Sequence, residues 1–143
     1  MSLLAARRLA VVLVLSVLAL SSASAALNSA QYKFEGNRWL SLDLAVGDVR
    51  TEVIRFEWPG AVLGIKTGYK ARVKVVNGSA RQVSAGIAVA VYDAAGKLIG
   101  AGSSGTRIGT IDPGDSVDFD IEFNNVTEKL EQAAQFQIAL QTR

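Results

Sequence analysis

From Lys70 to Val75 the chain changes character at every residue: Lys70, Arg72 and Lys74 are cations, and Ala71, Val73 and Val75 between them are aliphatic. Only an extended strand, whose successive side chains point to opposite faces, keeps all the cations in water and all the aliphatic groups inside. An α-helix would scatter both sets around its circumference. The same period of two returns along the chain. Val117, Phe119, Ile121 and Phe123 alternate with Asp118, Asp120 and Glu122, and Phe136, Ile138 and Leu140 alternate with Gln135, Gln137 and Gln141. Ile54, Phe56 and Trp58 share one face of a further segment, while Glu52, Arg55 and Glu57 mark its polarity. Trp39, Leu40, Leu42 and Leu44 form another apolar-rich strand. In Val83 to Tyr92, Ile87, Val89 and Val91 face one way, and Ala88, Ala90 and Tyr92 the other. That strand is apolar on both faces, which suits a central position or contact with another subunit.

Turn residues separate these runs. Gly47-Asp48, Pro59-Gly60 and Asn77-Gly78 end three of them. Asp93 to Lys97 reads as a hairpin turn with Gly96 in the left-handed position, and Asp112-Pro113-Gly114-Asp115 as a tight turn. Leu98 to Ala101 and Arg107 to Ile111 are short, glycine-spaced segments of the kind found at sheet edges. Asn125, with Glu128 three residues on, predicts a capped short helix ending near Ala133-Ala134. The expected fold is all-β: an antiparallel β-sandwich of seven to nine strands, with one short helix before the last strand.

The N-terminus has a different character. Arg7 and Arg8 precede an apolar run from Leu9 to Leu20, and Ser21-Ser22-Ala23-Ser24-Ala25 supplies small residues in an A-x-A arrangement. The run is shorter than the ~20 residues a membrane span needs. Residues 1–25 are expected to be a signal peptide cleaved between Ala25 and Ala26, leaving 26–143 as a single β-sandwich domain in the periplasm or the medium. Arg7 and Arg8 leave with it, so thirteen basic residues then balance thirteen acidic ones. A neutral surface argues against nucleic acid as a partner, and no membrane span is expected after cleavage. The absence of cysteine excludes disulfides and thiolate catalysis. The fold must therefore be held by its core, which at this size buries roughly two-thirds of the unfolded surface.

The stretch Tyr69 to Leu140 resembles the FxLYD family of bacterial extracytoplasmic immunoglobulin-like domains. The shared frame is a strand ending in asparagine (Val73 to Asn77), a strand ending in Tyr92-Asp93, the Asp93 to Lys97 hairpin and the Pro113-Gly114-Asp115 turn. Val89 and Val91 stand where that family usually has Phe and Leu. The resemblance implies an immunoglobulin-like fold with an interaction or accessory role, and it carries over no catalytic residue.

Chemistry is constrained mainly by what is missing. Without histidine or cysteine the chain has no Ser-His-Asp triad, no Cys-His pair and no histidine zinc site. Glycines 100, 102 and 105 are not followed by a helix and do not form a phosphate loop. The protein is expected not to be an enzyme and to need no cofactor or metal. Only Asp112 and Asp115, held in a turn, could converge on calcium, since acids alternating along a strand form a row rather than a cage. In an immunoglobulin-like order, the strands of Lys70/Arg72/Lys74 and Asp118/Asp120/Glu122 are antiparallel neighbours, which predicts a ladder of opposite charges on one exposed face. Trp39 and Trp58 are candidate contact residues for a sugar or a partner protein, and Tyr92, with Ala88 and Ala90, is a second candidate surface. The expected function is an exported interaction or accessory module of the bacterial envelope that binds another protein. A carbohydrate-binding or small-ligand-binding sandwich and a self-assembling structural subunit are the alternatives.

Overall fold

A computed structural model describes residues 26–66, 68–124, 126–127 and 129–143. The leader with Ala25, and Asn125 and Glu128 of the expected helix cap, lie outside these residues. In chain order the strands are β1 (Ala26–Lys33), β2 (Trp39–Ser41), β3 (Ala45–Val46), β4 (Val49–Glu57), β5 (Ala61–Val62), β6 (Ile65–Lys66), β7 (Lys70–Asn77), β8 (Ala85–Asp93), β9 (Leu98–Gly105), β10 (Ser116–Glu122), β11 (Val126–Thr127) and β12 (Ala133–Thr142). Seven of them are seven residues or longer, and the rest are two or three residues. One five-stranded sheet has the order β1-β12-β8-β9-β11; the other runs β10-β7-β4-β2, with β3 also on β4. All pairings between these strands are antiparallel, and the two sheets pack as an immunoglobulin-like all-β sandwich.

The alternating positions supply the core. Ile54, Ala71, Val73, Val75, Ile121, Phe136, Ile138 and Leu140 are fully buried, one inward set from each sheet. Phe136 packs edge-on to Phe56 at 5.0 Å between ring centroids and stacks on Tyr32 at 5.5 Å. Two tyrosine hydroxyls lock the margins, Tyr32 on Asp43 and Tyr69 on Glu131. Burial, reinforced by Asp43, raises the Tyr32 pKa, and the bond from Tyr69 holds the Glu131 carboxyl below its ordinary value.

The turns have their expected residues. Gly96 lies at φ 79°, and Asp93 Oδ1 accepts hydrogen bonds from the backbone N–H groups of Ala95 and Lys97. Gly114 lies at φ 80° with Asp115 N–H bonded to Asp112 O. Other features depart from the expectation. The helix is reduced to one 3-10 turn, Leu130–Gln132, entered from Lys129 at φ 50°. A left-handed residue there stops a right-handed helix from running through it, and Val126–Thr127 pairs with β9 instead. Leu98–Gly105 is one continuous strand with a partner on either side, while Arg107–Ile111 forms no strand, only a bridge from Ile111 to Val83.

The hairpin β5–β6 stands apart as its own two-stranded sheet, with Leu63 98% and Ile65 71% exposed. Its two-residue turn puts Leu63 at φ 50° and Gly64 at φ 80°. Two successive positive values are the signature of a turn that prefers Asn-Gly. Leu63→Asn is therefore expected to stabilise the hairpin by about 0.5–1 kcal/mol. Amide exchange across β5–β6 checks this: slower exchange in the variant supports it, and unchanged or faster exchange refutes it.

Candidate functional site

The register of the sheets gives their outer faces opposite chemistry. On the β10-β7-β4-β2 sheet, Asp118 lies opposite Lys74, Asp120 opposite Arg72 and Glu122 opposite Lys70. Within this ladder Arg72 Nε bonds Asp120 Oδ1 at 2.9 Å, which raises the Arg72 pKa further. Lys70 reaches the other way, to Glu57 at 3.2 Å, and Glu122 accepts a bond from Asn124. The strands are thus paired in charge register while the ion pairs themselves run in both directions, because β7 is central and a lysine there can choose between two neighbours. Both members of the Arg72–Asp120 pair are more than a third exposed, so the pair contributes only tenths of a kcal/mol. Exchanging the charges, R72D with D120R, is expected to recover at least half of the summed loss of the two single changes in a urea-unfolding cycle. A double variant no more stable than the additive sum would mean that the pair has no coupling.

Continuing that row past Arg72, the next residues across the sheet are Arg55 and then Trp39. Trp39 is 49% exposed at the edge strand, and the Arg55 guanidinium lies 5.9 Å from the centre of its ring. Trp58 is not a comparable surface residue. Its half-buried ring packs edge-on to Tyr69 at 5.6 Å and against Phe34 at 6.0 Å, while Gly36 lies directly against it. Trp58 therefore belongs to the margin of the core, as its place in the alternation with Ile54 and Phe56 requires.

The outer face of the other sheet is built quite differently. Ala88 stands between Ala139 and Ser103, and Ala90 between Gln137 and Ala101. Tyr92 lies beside Gln135 and Leu98, and Gly86 beside Gln141 and Gly105. Strands β12, β8 and β9 present no charged side chain on this face, and the nearest charge in the same rows is Lys33 on β1. The short side chains leave a shallow open depression of about 590 Å³ over Ala88, Ala90, Ala101, Ser103, Gln137 and Ala139, and Glu122 of β10 lines its wall as well, the one charged group there among the described residues. Leu98, 45% exposed, and half-buried Tyr92 face each other across β9 and β8 on the same sheet.

The acidic turn is occupied by internal bonding: Asp112 accepts a hydrogen bond from Gln82 at 2.6 Å, and the backbone of Asp115 bonds that of Asn77. Among the described residues no group of three or more carboxylate, histidine or cysteine side chains is placed to hold a metal ion. None of the described helices is long and apolar enough to cross a membrane. The spacing of residues pointed to Tyr92 and the alanines but not to the breadth of their face, because that depends on β12 and β9 lying on either side of β8. Comparison of the chain with protein-family models and with curated proteins gave no match.

Proposed function

We propose that this is an exported, non-catalytic interaction module that docks another envelope or extracellular protein on the outer face of β12, β8 and β9. The observation that carries the reading is the chemical segregation of the two sheets: one outer face carries alternating charges, while β12, β8 and β9 surface the other with Ala, Ser, Gly and Gln, Glu122 of β10 being the one charged group that lines its depression. A charged face keeps its water, whereas a flat face of short side chains loses little conformational entropy and strips little strongly held water when covered. Glutamines 135, 137 and 141 add donors and acceptors for a polar margin, as protein interfaces have. The export expected from residues 1–25 and the frame shared with FxLYD domains agree with an accessory role outside the cytoplasm.

The test uses the tagged full chain crosslinked in the envelope of its own host, compared with the double variant Ala88→Arg, Ala90→Arg. Both side chains point outward, so the variant is expected to melt within a few degrees of the parent. It should lose at least nine-tenths of a stoichiometric partner captured by the parent. Equal capture by the two proteins, or no partner with a folded and abundant parent, overturns the reading.

A further inference from the structure

We propose that the row Trp39, Arg55 and Arg72 on the opposite sheet binds an acidic sugar, its ring lying on Trp39 and its carboxylate between the two arginines. This site is independent of the docking face on β12, β8 and β9. Three unfavourable features meet in this row. Arg55 is directly cross-strand from Arg72, a like-charge pair that destabilises a sheet. Arg55 Nε is sealed from solvent with no hydrogen-bond partner among the described residues. Trp39 leaves about half its surface in water beside them.

The surrounding acids do not relieve Arg55. Glu57, two residues along β4, is engaged by Lys70 at 3.2 Å, and Asp120 is engaged by Arg72 at 2.9 Å. The other cations with a carboxylate partner, Arg38, Arg50, Lys70 and Arg72, each have it within 3.2 Å, while Arg55 has the Trp39 ring instead. Violations of local rules gathered at one spot are characteristic of functional sites. An anion resting on Arg55 and Arg72 would turn their repulsion into two charge-assisted contacts, using guanidinium nitrogens other than the sealed Arg55 Nε.

The class of ligand follows from the neighbours. Trp39 offers a flat indole on an edge strand, with Arg55 fixing its orientation, and the apolar face of a sugar ring stacks on such a surface. From Trp39 to Arg72 spans two strand spacings, roughly 10 Å, which a sugar ring together with its carboxylate, or one disaccharide unit, can bridge. Asp120 closes the far end of the row, and Glu57 and Glu122 line the next row. Those acids would repel a dense polyanion but leave room for one carboxylate, so a uronic-acid residue in a glycan fits where nucleic acid does not.

The test is a titration of the full chain with galacturonic acid trimer and with the neutral galactose trimer, read by tryptophan emission and by calorimetry. The acid trimer should bind saturably and at least tenfold more tightly than the neutral one. Arg55→Gln should weaken it by at least tenfold, Arg55→Lys less, and Trp39→Ala should remove it. Ala88→Arg should leave it unchanged. Each variant is first shown to melt within a few degrees of the parent. The proposal is overturned by no saturable binding up to millimolar sugar, by equal affinity for both trimers, or by binding that survives Trp39→Ala and Arg55→Gln. Binding of acidic peptides in place of the sugar overturns it as well.

Discussion

Replacing Asn77 by alanine is expected to destabilise the domain by about 2–4 kcal/mol, which in a chain of this size lowers Tm by roughly 10–20 °C. Asn77 is fully buried at the end of β7, and every polar valence of its side chain is used. Its Nδ2 donates to Arg81 O at 2.7 Å and Ile111 O at 2.9 Å, and its Oδ1 accepts from Ser79 N–H at 3.0 Å and Ser79 Oγ–H at 2.6 Å. Its backbone N–H donates to Asp115 O, and its carbonyl accepts from Gly114 N–H. One residue thus joins the β7–β8 and β9–β10 loops at one end of the sandwich. Alanine removes a partner from the Ile111 carbonyl in a buried space, and from the Arg81 carbonyl and the Ser79 N–H, which are partly buried. Asn77→Asp should do at least as much harm, because a carboxylate in place of Nδ2 faces two carbonyl oxygens. Urea unfolding with an unchanged m-value is the check. A loss below about 1 kcal/mol for Asn77→Ala would show that the network is dispensable.

The second large effect is expected at Gly102, where valine should cost about 3 kcal/mol. Gly102 is paired with Val89 and faces inward. A Cβ at this position would lie 2.7 Å from the carbonyl oxygen of Glu122 and 2.8 Å from Ile121 Cγ2. The first of these is backbone of β10, so relief requires the β9 and β10 edges of the two sheets to separate. Two other glycines calibrate the result. At Gly100 the obstacle is Leu130 Cδ2 at 2.8 Å, the end of a side chain that can rotate, and at Gly86 nothing lies within 4 Å. Alanine should therefore be close to neutral at Gly86, intermediate at Gly100 and worst at Gly102 in thermal melts. A flat response across the three positions would mean that the sheets are not in contact at this seam.

These sites also mark how far the sequence could be read. The alternation about Lys70, Ile87, Val117 and Phe136 placed the long strands and their inward faces, because period two reports on one residue's local geometry and needs no knowledge of neighbours. Gly96 and Gly114 were legible for the same reason: a turn's demand for positive φ is local. The charge ladder needed one further step, an assumed strand order, and the register of β10 on β7 matches that assumption residue for residue. The segment Ala26–Lys33 carried no comparable signal, since the row that β1 turns inward, Asn28, Ala30 and Tyr32, is only partly apolar. Its place beside β12 joins the two ends of the described chain, Ala26 opposite Thr142.

What the sequence by itself determined is therefore the class of fold, the inward and outward sets of the long strands β4, β7, β8, β10 and β12, the tight turns, and the exclusion of histidine and thiol chemistry. Tertiary structure alone decided which strands became neighbours. It set Ala88 among Ala139 and Ser103 to make a face of short side chains, put Arg55 beside Arg72 and Trp39, turned Trp58 into the margin of the core, and made Gly102 a point of contact between sheets. The physical reason is the range of the interactions. Strand propensity and turn geometry act over a few residues, whereas pairing across a sheet is chosen by burial and loop closure among segments tens of residues apart. A surface made from several strands comes into existence only when that choice has been made.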